Sequence, residues 1–282
     1  MRALKGHGTE NDFVLVPDLD GALTLTADQV RALCDRHAGI GGDGVLRVVR
    51  TAAEPEAAAL AGEAEFFMDY RNADGSIAEM CGNGVRVFYR YLQRAGLVDG
   101  PAAVATRGGV VQVRPADDGE ITVAMGVPRL LDAQPVVAVG DLDEFDSLAA
   151  VTMPNPHVVV QVSPDEMAEL DLTVAPVVDP PLPDGQNVEF VLPLVARRIR
   201  MRVFERGVGE TRSCGTGICA AVVAVATSRG LGADREPWTV DVPGGTCRVV
   251  WRPDGIELTG PAVIVAEVDV ADELLGLTGV PA

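Results

Sequence analysis

Two cysteines stand in matched surroundings. Cys81-Gly82-Asn83-Gly84 and Cys214-Gly215-Thr216-Gly217 share the pattern Cys-Gly-x-Gly and lie 133 residues apart. Each precedes a run that reads as a helix: Val85, Phe88, Tyr89 and Leu92 at helical spacing, and Ile218 to Thr227, apolar or small on every side. A helix N-terminus offers unpaired N–H groups and partial positive charge, which can bring a thiol pKa down to roughly 3.5–7.5. The glycines let a carboxylate approach those N–H groups closely. Two thiols flanking one carbon can take a proton from one face and return one to the other. That is inversion at the α-carbon of an amino acid. The Cα–H is a very weak acid, so charge must be placed near the carboxylate to stabilise the carbanion. One group starts as thiolate and the other as thiol, with roles exchanged in the reverse direction, and water must be kept out.

Either cysteine alone reads as readily as a packed core thiol. The pairing favours chemistry, because the surroundings repeat as well. The residue nine before each cysteine is polar, Asn72 or Glu205. Asn11-Asp12-Phe13-Val14 resembles Asn155-Pro156-His157-Val158 at an offset of 144, and Asp43-Gly44-Val45 resembles Gln186-Asn187-Val188. Gly108-Gly109 and Gly244-Gly245 each open a strand pair turned at Asp118-Gly119 or Asp254-Gly255. One supersecondary plan used twice is expected, with the two cysteine-bearing helix starts on opposite sides of a cleft. The expected fold is α/β (α+β), in two pseudo-symmetric halves that each wrap a mixed β-sheet or barrel around a central helix. Residues 1–128 carry Cys81 and 129–282 carry Cys214, and the last strand is a candidate to pair back with the first half.

The elements follow from pattern. Phe13 to Val16 reads as a strand, and Thr26 with Gln29 as a capping box opening a helix with Val30, Leu33, Cys34 and His37 on its inward face. Gly39-Ile40-Gly41-Gly42-Asp43-Gly44 matches G-x-G-x-x-G. It follows a helix and precedes a strand, the reverse of the dinucleotide-binding order, and reads as a turn. Residues 52–64 read as a surface insertion or short helix, and the proline-rich stretch from Pro176 to Gly185 as a loop. Phe66 to Tyr70, Val110 to Val113, Ile121 to Val123 and Arg200 to Phe204 read as strands. Cys34, Cys219 and Cys247 read as core thiols, and His7 and His37 as structural.

Composition narrows the partners. Lys+Arg number 23 against 41 Asp+Glu, a net charge of −18, which argues against nucleic acid and anionic membrane. There is no apolar run long enough for a spanning helix, and the N-terminus lacks a signal-peptide core, so a cytoplasmic protein is expected. Five cysteines without a C-x-x-C pair suit free thiols in a reducing compartment and give no structural zinc site. Lys5 is the single lysine, so a pyridoxal Schiff base is improbable and no cofactor or metal is expected.

At these residues the chain closely resembles the diaminopimelate epimerase family, cofactor-independent enzymes of lysine and peptidoglycan-precursor synthesis. The motifs are Asn72 to Arg86, Glu205 to Gly217, Gly8 to Phe13, Asn155-Pro156-His157 and Gln186-Asn187-Val188. The resemblance implies the two-half fold, and Cys81 and Cys214 as the acid/base pair acting on LL- and meso-diaminopimelate, a small-molecule substrate. It implies that backbone N–H groups of Gly82, Asn83, Gly215 and Thr216 hold the reacting carboxylate. Asn11, Asn72, Asn155, Asn187, Glu205 and Arg206 would then recognise the far amino-acid end, while His157 and Glu205 tune the cysteines. Such chemistry is sensible: arginine binds a carboxylate bidentately, and amides with a carboxylate receive an ammonium. A homodimer is left open. Gly44 stands where some members carry glutamine, and Val87 where many carry a further cysteine. Arg86 fits either a surface cation or a support of the site. The nearest rival is a proline racemase or hydroxyproline epimerase, whose substrates lack a second amino-acid end. A thiol redox protein or an amino-acid-binding module is a rival of another class.

Overall fold

The computed structural model describes residues 1–276. The chain folds as two compact units, one formed by Met1–Val123 with residues 261–276, the other by Ala124–Gly260.

In the first unit the strands are β1 (Arg2–Gly8), β2 (Asn11–Pro17), β3 (Gly44–Arg50), β4 (Phe66–Asn72), β5 (Ala102–Thr106), β6 (Gly109–Pro115) and β7 (Ile121–Ala124). They pair in chain order, and the strand Val263–Asp269 closes back antiparallel on β1. Helix α1 (Ala27–Cys34) joins β2 to β3, and α2 (Gly82–Arg94) joins β4 to β5. Both joined pairs are parallel, as a helical crossover requires. Val85, Val87, Phe88, Tyr89 and Leu92 of α2 are fully buried against the surrounding strands.

The second unit repeats the plan with β8 (Arg129–Leu131), β9 (Val136–Ala138), β10 (Phe145–Thr152), β11 (Pro156–Gln161), β12 (Val177–Asp179), β13 (Asn187–Pro193), β14 (Arg198–Glu205), β15 (Gly209–Thr211), β16 (Pro237–Val242), β17 (Gly245–Arg252) and β18 (Gly255–Gly260). From β1 to β6 the successive pairings run antiparallel, parallel, antiparallel, parallel, antiparallel. The series β10, β11, β13, β14, β16, β17 gives the same signs. Helix α3 (Pro164–Glu169) takes the place of α1, and α4 (Gly215–Ser228) that of α2. From Ile218 to Ala226 every residue of α4 is fully buried, so this helix is the axis of its unit.

The capping box of Thr26 and Gln29 is formed, but α1 stops at Cys34, and His37 is exposed instead of continuing the inward face. The cause is local. Asp35 Oδ1 accepts the N–H groups of His37 and Ala38, each at 2.7 Å, and the Gly41 and Gly42 N–H groups return to the carbonyls of Leu33 and Cys34. The glycine run therefore caps a helix, with Gly41 at φ +81. Two 3₁₀ turns occupy Thr51–Ala53 and Ala58–Leu60. The proline-rich stretch holds one short strand, β12, which pairs antiparallel with β9 and carries Val178 into the core.

Candidate active site

In the first unit Cys81 is the N-cap of α2, with extended backbone, and its Sγ accepts the Gly84 N–H at 3.4 Å. The thiol faces Asn11 Oδ1 at 3.7 Å, and the same oxygen accepts from Asn83 Nδ2 at 3.2 Å. Asn11 is held from behind: its Nδ2 donates to Asp43 Oδ2 at 2.7 Å, an oxygen that also accepts the Asp12 N–H. Burial and the neighbouring Asp12 charge push Asp43 up. Burial opposes the charge of Asp12, but the hydrogen bonds and charges of Arg36 and Lys5 outweigh it and hold that carboxyl well below its usual range. Asn11, Cys81 and Asn83 are thus brought together at the start of α2, with Gly82 in its first turn. Asn72 ends β4 and donates from Nδ2 to Ser76 Oγ at 2.9 Å within its own turn.

Arg86 is fully buried, not a surface cation; it donates to Asn83 Oδ1 at 2.9 Å and Thr9 Oγ1 at 3.0 Å, fixing the Asn83 amide. Lys5, the sole lysine, donates to Asp12 and to the Gly41 carbonyl.

In the second unit Cys214 is the N-cap of α4, with Sγ 3.4 Å from Thr216 Oγ1 and Gly215 opening the helix. Burial pushes this thiol well up, and the charges of Glu205 and Glu189 add to it; the Thr216 contact and the Gly217 N–H act the other way. Glu205 is raised too, first by burial and then by the Glu189 charge, against hydrogen bonds from Thr211 and Cys214. His157 lies on β11, fully buried, with Nε2 3.1 Å from Asn155 Oδ1. Asn187 Oδ1 accepts the Arg206 N–H at 2.9 Å, joining the start of β13 to the turn after β14. The Arg206 guanidinium donates to the Asp184 carbonyl and lies against Gly185. The unit therefore gathers Glu205, Cys214 and Thr216 in one place, His157 with Asn155, and Asn187 with Arg206.

Among the described residues no group of three or more His, Cys, Asp or Glu side chains converges to hold a metal ion, and no helix is long and apolar enough to cross a membrane.

A family profile described as diaminopimelate epimerase matches residues 3–131 and 149–265. The chain belongs to the diaminopimelate epimerase family. It is 58% identical over 272 residues to the diaminopimelate epimerase of Streptomyces coelicolor, covering 94% of this chain and 93% of that one. It is 53% identical over 277 residues to that of Thermobifida fusca, covering 96% and 98%. Among solved structures, a hydroxyproline epimerase from Agrobacterium vitis with bound trans-4-hydroxy-L-proline aligns with a TM-score of 0.65 at 17% identity, over 95% of this chain and 91% of that one. A phenazine biosynthesis protein of the PhzF family from Bacillus anthracis gives 0.65 at 18%, over 96% and 99%. At such identities these two share the fold of this epimerase-family chain.

Within that family frame two residues gain meaning from the structure. Glu189 on β13 stands behind His157, with Oε1 2.6 Å from Nδ1 and neither side chain exposed. No motif marked it. Its one sequence signal is a carboxylate inside the apolar run Val188-Glu189-Phe190-Val191-Leu192. Gly44 is the other. A Cβ there would stand 2.5 Å from the Arg71 carbonyl oxygen and 2.8 Å from Tyr70 Cε2, because β3 and β4 pair closely at Gly44 and Asn72. The glycine is set by strand packing.

Proposed function

We propose that this chain is an isomerase that converts LL-2,6-diaminopimelate to the meso isomer without a cofactor, with Cys81 and Cys214 as the acid/base pair. The observation that carries the reading is the family match over most of the chain, together with relatives of that name at 58% and 53% identity. The geometry supports the residue roles. Each cysteine caps a helix, where N–H groups and the positive end of the dipole favour a bound carboxylate, while at Cys214 burial and the charges of Glu205 and Glu189 outweigh them and keep the thiol protonated.

In the forward direction one thiolate removes the Cα proton, and the electron pair moves into the carboxylate as the carbanion forms. The N–H groups of Gly82, Asn83, Gly215 and Thr216 stabilise that charge. The opposite thiol then delivers its proton to the other face, leaving thiol and thiolate exchanged. Asn11, Asn72, Asn155, Asn187, Glu205 and Arg206 are the proposed contacts of the far ammonium and carboxylate, and His157 and Glu205 the groups that tune the thiols. The cytoplasm, where thiols stay reduced, is the proposed location. A homodimer is the assembly to test by light scattering.

Chiral separation of the products tests the reading. LL-diaminopimelate should convert to the meso isomer, proline and hydroxyproline should not react, and Cys81→Ala and Cys214→Ala should each abolish conversion. Near-normal turnover by either variant would remove that residue from the mechanism.

A further inference from the structure

Glu189 is seated by register. Strands β11 and β13 run parallel with His157 opposite Asn187 and Val159 opposite Glu189, so His157 and Glu189 are diagonal neighbours on one face. Glu189 Oε1 lies 2.6 Å from His157 Nδ1, while the other ring nitrogen meets Asn155 Oδ1. The second oxygen, Oε2, is buried without a hydrogen-bond partner. The carboxylate also presses on the first turn of α4: a Cβ on Gly217 would stand 2.5 Å from Oε1. The second glycine of Cys214-Gly215-Thr216-Gly217 thus makes room for this side chain, next to the positive end of the helix. A fully buried carboxylate with one oxygen unpaired is a cost to folding, which points away from a purely stabilising role.

We propose that Glu189 is a positioning residue for the Cys214 chemistry: it holds the Nδ1 proton of His157, fixing that ring and its tautomer beside the start of α4. The proposal rests on the epimerase reading above. The titratable groups around it are His157 from β11, Glu205 from β14 and Cys214 at the start of α4. Glu189 acts through His157 and through the charge it presents to Cys214 and Glu205.

Two measurements test it. In ¹H–¹⁵N spectra of histidine-labelled wild-type protein, one of the three histidines should show a downfield, slowly exchanging Nδ1–H, since only His157 is fully buried. That signal should vanish or move upfield in Glu189→Gln. With LL-diaminopimelate, Glu189→Gln should lose about 10- to 100-fold in kcat, the loss seen when the carboxylate orienting a metal-ligating histidine is removed, with KM changed less than about twofold. Gly217→Ala, which displaces the carboxylate but keeps its charge, should lose kcat in the same way and stands in if Glu189→Gln does not fold. Wild-type kcat in either folded variant, or a wild-type spectrum without the protected Nδ1–H, overturns the proposal. An inactive wild-type protein would instead defeat the epimerase reading, and the spectrum would still decide the Glu189–His157 contact.

Discussion

The two sulfur atoms sit at equivalent helix starts and in unequal surroundings. Cys81 accepts a helix N–H and faces an amide, whereas Cys214 faces a hydroxyl with two carboxylates near it. Burial and those carboxylates hold the Cys214 proton. Alkylation of Cys214, followed by peptide mapping in Cys81→Ala, should therefore rise with pH only above the range of a free thiol. Glu205→Gln removes one negative charge and should move that rise to lower pH; an unchanged profile would count against the electrostatic account. The cysteines were legible in the sequence because an N-cap and its glycines are contiguous. Glu189 was not, because its meaning depends on the register of β11 against β13, which no local pattern carries. Arg86 shows the same limit: its spacing put it one turn into α2, and only packing shows that it is buried on Asn83.

At the scale of elements, the join of β3, β4 and the 51–64 segment rests on a buried ionic cluster. Arg47 meets Asp18 at 2.8 Å, Glu54 at 2.6 Å and Asp69 at 3.3 Å, and Asp69 also pairs with Arg71 and Arg107. Removing the cation leaves the buried Asp18 without its ion-pair partner, while Asp69 keeps Arg71 and Arg107, so Arg47→Met should cost about 3–5 kcal/mol in denaturant unfolding. A loss below about 1 kcal/mol would mean that the cluster relaxes to water. Gly44→Ala should cost about 1–3 kcal/mol, because the new methyl meets backbone of the neighbouring strand. The midpoint should fall at unchanged m. The strands named from sequence, Phe13–Val16, Phe66–Tyr70, Val110–Val113, Ile121–Val123 and Arg200–Phe204, were readable from their β-rich runs and lie within β2, β4, β6, β7 and β14. The early end of α1 was not, because Asp35 and the following glycines take over its C-terminal hydrogen bonds although the apolar spacing continues to His37.

For the whole molecule, the repeated order of parallel and antiparallel pairings makes each unit one helix enclosed by strands. The sequence repeat anticipated that plan, since both copies keep the same motifs at nearly the same offsets. Stability should depend on acid in a direction set by Asp12 and Asp69. Burial opposes the charge of Asp69, but Arg107 and Arg71 outweigh it and lower its pKa, as Arg36 and Lys5 do for Asp12. A lowered carboxylate stabilises the fold above its unfolded value, near 3.8, and that contribution is lost as pH falls through the folded value. Urea midpoints should thus decline below about pH 4, and less steeply in Asp69→Asn. The central claim is proton exchange at one carbon by two thiols, and it is tested most directly in D₂O. LL-diaminopimelate incubated with the reduced protein should gain deuterium at an α-carbon as it turns into the meso isomer, and should gain none with Cys81→Ala or Cys214→Ala. Meso product formed by the wild-type protein without deuterium at the inverted carbon, or no conversion at all, would contradict it.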